Sequence, residues 1–118
     1  MSHRTNGDFL RGSTDLMVLS VLADGPKYGY LIQQRLSEVS NGRVDLKAGT
    51  LYPLLHRLES AKLLKSREDS TTGRKRKWYD LTAQGKRRLT KQATEWQEYA
   101  RCLQELLAPV LAAAPKPT

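Results

Sequence analysis

Apolar positions along the chain mark out four helical stretches, one short strand and one pair of strands. The first stretch runs from about Thr14 to Ala23, where Leu16, Met17, Leu19, Val21 and Leu22 make it apolar on most sides. Ser13 or Thr14 is placed to cap it, and Gly25-Pro26 closes it, because glycine accepts a left-handed cap and proline cannot continue a helix. A second helix is predicted from Tyr28 to Val39 with Ile32, Leu36 and Val39 on one stripe; Ser40-Asn41-Gly42 is a turn signal. Val44 and Leu46 alternate with Arg43, Asp45 and Lys47, which predicts a short strand.

The third helix has the clearest pattern. Leu51, Leu54, Leu55 and Leu58 fall at i, i+3, i+4 and i+7, one buried stripe. Thr50 is in place to cap it and Pro53 is expected in its first turn. The opposite face carries Pro53, His56, Arg57 and Ser60, with Thr50 and Tyr52 on the flanks. Leu63 to Arg67 and Arg76 to Leu81 then read as a hairpin around a polar loop, Glu68 to Gly73. Tyr79 and Leu81 share its core face, and Gly73-Arg74-Lys75-Arg76-Lys77 supplies the tip. Thr82 starts a last helix, expected to end near Ala108, ahead of Pro109. Leu89, Ala93, Trp96, Ala100, Leu103 and Leu107 follow steps of 4, 3, 4, 3 and 4, a coiled-coil seam that Tyr99 and Leu106 widen.

Charge changes the picture most. The chain has 118 residues and a net charge of +8. Residues 62–91 hold eleven basic and three acidic side chains, so the whole excess lies in one thirty-residue stretch. That concentration is the footprint expected of a polyanion-binding surface, although a solvated basic hairpin would carry the same residues. Composition is otherwise that of a globular domain, 39% hydrophobic and 27% charged. No apolar run reaches the length of a membrane span, and the polar start of the chain lacks a signal sequence, so cytoplasmic, nucleoid-associated residence is the expectation. The single cysteine, Cys102, allows no internal disulfide, and His3, His56 and Cys102 lie on separate elements without ligand spacing. No paired carboxylates, Ser-His pair or glycine-rich phosphate loop recommends an enzyme, and no cofactor is implied.

Helix, helix, short strand, striped helix and basic hairpin is the order of a winged helix-turn-helix: a mainly α fold with a small β-hairpin wing (α+β) and an added C-terminal dimerisation helix. In that arrangement the third helix enters the major groove by its N-terminal part and the wing reaches the neighbouring backbone or minor groove. The expected organisation is a flexible arm (1–12), a DNA-binding domain (13–82), a dimerisation helix (83–108) and a disordered tail (109–118).

Three runs carry a family resemblance: Gly25-Pro26-Lys27-Tyr28-Gly29-Tyr30, the stretch from Gly49 to Glu59 (GTLYPLLHRLE), and Tyr79-Asp80-Leu81-Thr82-Ala83-Gln84-Gly85. In order and spacing they resemble the PadR family of transcriptional regulators, over about residues 10 to 107. The resemblance implies a homodimer on a palindromic operator in double-stranded DNA, usually as a repressor, with dimerisation through the C-terminal and N-terminal helices. The single C-terminal helix is similar to the family's shorter subgroup. Some relatives sense aromatic drugs or phenolic compounds in such an interface, so the resemblance also implies a small apolar or aromatic effector as a partner. Two positions depart from the family pattern. Lys62 stands where the pattern has glycine, at a cost of about 1 kcal/mol if the backbone there is left-handed. Trp78 provides the aromatic that usually precedes the tyrosine of the third run, but with a bulkier ring.

The candidate DNA contacts are therefore Thr50, Tyr52, His56, Arg57, Arg74, Lys75, Arg76 and Lys77. Tyr52 either touches a phosphate or packs under the second helix, and Arg57 either grips phosphate or pairs with a nearby acid. In isolation Arg74 to Lys77 would resemble a nuclear-localisation tract; on a hairpin they read as a wing. Leu16, Leu89, Ala93, Trp96, Ala100, Leu103 and Leu107 are the candidate dimer interface. Trp96 either fills that seam or, with Tyr99 and Ala100, lines room for a flat apolar ligand. The competing function is a protein-interaction module whose basic hairpin binds an acidic partner.

Overall fold

The computed structural model describes residues 6–71 and 73–115, with the backbone alone for 6–12. The elements are α1 (Asn6–Val21), β1 (Lys27–Tyr28), α2 (Gly29–Val39), α3 (Ala48–Ser60), β2 (Leu64–Asp69), β3 (Arg76–Leu81) and α4 (Ala83–Ala113). The strands form one antiparallel sheet in the order β1-β3-β2. The core sits between α1, α2, α3 and the inner face of this sheet: Val18, Leu19 and Leu22 meet Ile32, Leu36, the four leucines of α3, Leu63, Leu64, Tyr79 and Leu81. Each fully buried leucine of the α3 stripe is worth about 2 kcal/mol in removed apolar surface, so this stripe fixes which way the helix faces.

Several boundaries differ from the expectation. The helix predicted from Thr14 begins at Asn6, inside the stretch read as an arm. Ser13 and Thr14 cost a helix interior only tenths of a kcal/mol, so neither stops it. Residues 1–5 lie outside the described residues. The strand expected at Val44–Leu46 does not form. Val44 and Leu46 do turn inward against the core, but this segment has no partner strand, and the Leu46 carbonyl accepts instead from Gln33 Nε2 at 2.7 Å. The third strand is β1, paired Lys27 to Tyr79 and Tyr28 to Trp78. Consequently α2 starts at Gly29 rather than Tyr28, and Val39, at the helix end, is exposed.

Lys47, not Thr50, occupies the cap position of α3 and makes no side-chain cap bond. With the start moved to Ala48, Pro53 lies in the second turn, where its missing N–H forgoes one bond to the Gly49 carbonyl. The helix closes through Lys62, whose φ is +64°. The Lys62 N–H donates to the Glu59 carbonyl (2.9 Å) and the Leu63 N–H to the Leu58 carbonyl (3.0 Å), a Schellman turn with Leu58 and Leu63 buried together. Asn41, with φ +55°, ends α2 the same way.

The hairpin register runs from Leu64–Leu81 at the base to Asp69–Arg76 at the outer end. Arg76 and Lys77 are therefore strand residues, and so are Glu68 and Asp69, expected in the loop: their pairing with Lys77 and Arg76 extends β2 to Asp69. Thr82 caps α4 as expected, accepting from the Gly85 N–H at 2.9 Å. Its hydroxyl also donates to the Lys62 carbonyl at 2.7 Å, and its own N–H to the Leu63 carbonyl at 3.0 Å. Gly85 lies on the same peptide: a Cβ there would fall 3.0 Å from the Leu63 carbonyl carbon.

α4 does not stop before Pro109 but runs through it to Ala113, correcting the tail read from 109; residues 116–118 lie outside the described residues. Proline removes one backbone bond, to Glu105, while the leucines and alanines on either side favour continuation. At 1.5 Å per residue the helix is about 46 Å long. It accounts for a radius of gyration of 17.3 Å where a compact chain of this length has about 13.5 Å.

Lys62→Gly should stabilise the protein by about 0.5–1 kcal/mol, because only glycine takes a positive φ without a Cβ penalty. A rise in the urea midpoint at constant slope is the measurement that checks it.

Candidate nucleic-acid interface

The side of α3 opposite its leucines is open. Thr50, Tyr52, Pro53, His56, Arg57 and Ser60 are all exposed there, as the stripe requires. They are not equally available. Tyr52 rests its ring on the first residue of α2, where a methyl on Gly29 would come within 2.8 Å of Tyr52 Cζ. Its alternative readings are thus compatible, since the ring packs under α2 while 42% of the residue stays exposed. Arg57 is engaged. Its Nη1 and Nη2 donate to the two oxygens of Asp15 on α1 at 2.9 and 2.7 Å, so the pairing with an acid is the one formed. That carboxylate raises the already high pKa of the guanidinium. Thr50 and His56 complete the outward face.

The hairpin tip differs in detail from the expected row of four cations. Arg74 makes no ion pair among the described residues, while Lys75 reaches Glu68 across the hairpin at 3.0 Å. Arg76 lies over the Tyr28 ring, 4.5 Å from its centroid, and Tyr28 meets Trp78 edge to face at 5.1 Å. A cation held over a ring face is fixed in place without being neutralised. Tyr28, Tyr30, Arg74, Lys75 and Arg76 line a groove of about 500 Å³ between the start of α2 and the wing. Lys77 faces the other way, toward α3: its ammonium is 3.5 Å from Glu59 and over the Tyr79 ring. Lys77 is thus part of the joint between wing and α3 rather than of the tip. Exposed Lys86, Arg87, Arg88 and Lys91 on the first turns of α4, with Lys62, Lys65 and Arg67 on and before β2, supply the rest of the basic stretch.

Sequence pattern alone does not pick out Asp15, Tyr28, Glu59 or Ser66. Glu59 accepts from Ser66 Oγ on β2 as well as facing Lys77. The hydrogen bond from Ser66, with the Lys77 charge behind it, holds the Glu59 pKa below the usual carboxylate range.

On α4 only Gly85 is buried. Leu89 and Trp96 are half-buried, and Ala93, Ala100, Leu103 and Leu107 are exposed. Val110, one further step of three along the seam, is exposed too, flanked by Leu106 and Leu111. Trp96 and Tyr99 meet edge to face at 5.9 Å. Leu16 is half-buried on α1, which packs against α4. No three histidine, cysteine or carboxylate side chains are grouped to hold a metal among the described residues, and Cys102 is exposed. No helix among them is long and apolar enough to cross a membrane.

A striped third helix presenting a polar face beside a cationic hairpin defines a winged helix-turn-helix protein. The sequence profile of the transcriptional regulator PadR-like family matches residues 18–91. The chain is 36% identical to the transcriptional regulator Rv3488 of Mycobacterium tuberculosis, over 80% of its own length and 85% of that protein. Its fold matches a transcriptional regulator from Clostridium thermocellum with a TM-score of 0.74 at 28% identity, covering 83% of this chain and 96% of that one. A PadR-like transcription factor from Bacteroides fragilis gives 0.73 at 32% identity, covering 85% and 95%. The chain belongs to the PadR-like family of transcriptional regulators, which are DNA-binding proteins and not enzymes.

A carboxylate with a depressed pKa stabilises the fold above the normal glutamate pKa, and that contribution disappears as pH falls through the native value. Glu59→Gln should therefore lose less stability than the parent between about pH 5 and pH 3. Urea unfolding across that range is the check; equal slopes for the two proteins would leave Glu59 without this role.

Proposed function

We propose that this protein is a homodimeric repressor that binds a palindromic operator and acts in the cytoplasm. The observation that carries the reading is the uncovered apolar seam on the outer half of α4, Leu103, Leu107 and Val110, with Leu106 and Leu111 beside it. A helix end with that much exposed apolar surface calls for a partner, and seven-residue spacing suits a second copy of itself. Two-fold pairing repeats α3 and the wing in inverted order, which is the geometry a palindrome matches.

In this reading His56 and Thr50 meet base edges, Tyr52 braces α3 against α2, and Arg74, Lys75 and Arg76 neutralise backbone phosphates. Lys77 joins them only by giving up Glu59. The Trp96–Tyr99 pair, with small Ala93 and Ala100 on either side, supports a site for a flat apolar effector once two copies meet. In a Trp78→Phe background, quenching of Trp96 by planar aromatic compounds would report it. The rival reading, a wing that binds an acidic protein, has no site on this surface that favours it over DNA.

Replacing Arg74, Lys75 and Arg76 with alanine should weaken binding to every duplex and flatten the salt dependence by about 0.9 in log–log slope for each phosphate no longer neutralised. His56→Ala should instead change the ranking of operators by about 1–3 kcal/mol at one position. Equal, salt-insensitive binding of unrelated polyanions would sink the regulator reading. For the dimer, Leu107→Glu should give monomers in sedimentation with an intact helical spectrum, since Leu107 is exposed in the single chain, and Trp96→Glu should do the same. Intact dimers in both would remove the seam from the interface.

A further inference from the structure

α3 carries one lysine or arginine, and that side chain is already spent. Arg57 presents both terminal nitrogens to both oxygens of Asp15, the fork-to-fork geometry that holds a guanidinium most firmly. The partners are 42 residues apart in sequence and on different helices. Asp15 is the more sheltered of the two: its side chain is 17% exposed against 47% for Arg57. The acid is thus part of the packed α1 surface, and the base is drawn back to it from the open face. The rest of that face, Thr50, Tyr52, Pro53, His56 and Ser60, carries no fixed charge. By contrast the wing and the start of α4 hold Arg74, Lys75, Arg76, Lys86, Arg87, Arg88 and Lys91.

We infer that Asp15 is a specificity-determining positioning residue: by occupying Arg57 it keeps the DNA-reading helix from adding a sequence-blind phosphate contact. Charge-driven attraction then comes from the wing and α4, while α3 contributes through groups whose hydrogen bonds depend on which base they face. A loose arginine at position 57 would hold the protein on any duplex it met, and non-specific sites vastly outnumber operators. Asp15 acts only through Arg57 and touches no DNA itself. The inference rests on the DNA-binding reading above and adds to it which cation is withheld.

The experiment measures binding to a random-sequence duplex as a function of salt for the parent, Asp15→Asn, Asp15→Glu, Arg57→Gln and the double variant Asp15→Asn/Arg57→Gln. Asp15→Asn should steepen the log–log salt slope by about 0.9 for each released arginine that finds a phosphate, or roughly eightfold tighter binding at 0.1 M salt relative to 1 M. Asp15→Glu, which keeps the charge, should stay close to the parent. Arg57→Gln should leave the slope unchanged, and the double variant should match Arg57→Gln. Melting temperatures separate these effects from unfolding, which would lower binding rather than raise it. A flatter slope in Arg57→Gln, or an unchanged slope in a folded Asp15→Asn, overturns the inference while leaving DNA binding intact. Failure of all five proteins to bind duplex DNA overturns the functional reading and the inference together.

Discussion

The two consecutive carbonyls of Lys62 and Leu63 are where the parts of this protein are joined. This turn ends α3 in a left-handed residue and leads into β2; as α4 begins, the Lys62 carbonyl accepts the Thr82 hydroxyl and the Leu63 carbonyl accepts the Thr82 N–H. Gly85 then passes so close to the Leu63 carbonyl that any side chain would collide with it. Together with the Glu59 contacts to Ser66 and Lys77, these few hydrogen bonds give the three elements a fixed orientation that apolar contact alone would not set. The polar face of α3, the hairpin and the protruding helix are positioned relative to one another by that joint.

Electrostatics is divided with similar economy. Excess positive charge sits on the hairpin and the first turns of α4, yet much of it is held in defined directions. Arg76 lies over the Tyr28 ring, while Lys75 is paired with Glu68 and Lys77 with Glu59; Arg74 has neither an ion pair nor a ring contact among the described residues. An ensemble of loose lysines would attract any polyanion. Fixed cations instead offer a spacing, and a spacing can match one duplex geometry better than another.

How much of this was legible in the sequence depended on the range of the interaction responsible. The leucine stripe of α3, the second hairpin strand and the Thr82 cap are local patterns, and they lie where period and composition put them; β2 instead runs on through Glu68 and Asp69, whose loop-like composition is overridden by pairing with Lys77 and Arg76. β1 is two residues long and has no alternation to detect; only its pairing with β3 makes it a strand. Val44 and Leu46 alternate like a strand but lack a neighbour to bond with. Pro109 looked like a stop because its local penalty is large, while the helix-forming residues beyond it are individually weak and jointly sufficient. Least visible was Asp15 with Arg57, since no spacing rule links positions 42 apart. On the outward side of α3 the pattern identified the residues correctly, but not which of them was already occupied.

The joint at Leu63 also makes the hairpin and α4 mechanically inseparable. A six-residue strand reaches about 20 Å from its base. A tilt of ~10° about that base carries the tip ~3.5 Å, which is close to the rise of one base pair. The first turn of α4 shares the base, so the angle at which this helix leaves the domain is geared to where the hairpin ends. A substitution many residues along the helix can then retune the hairpin without touching it, provided that it changes that angle.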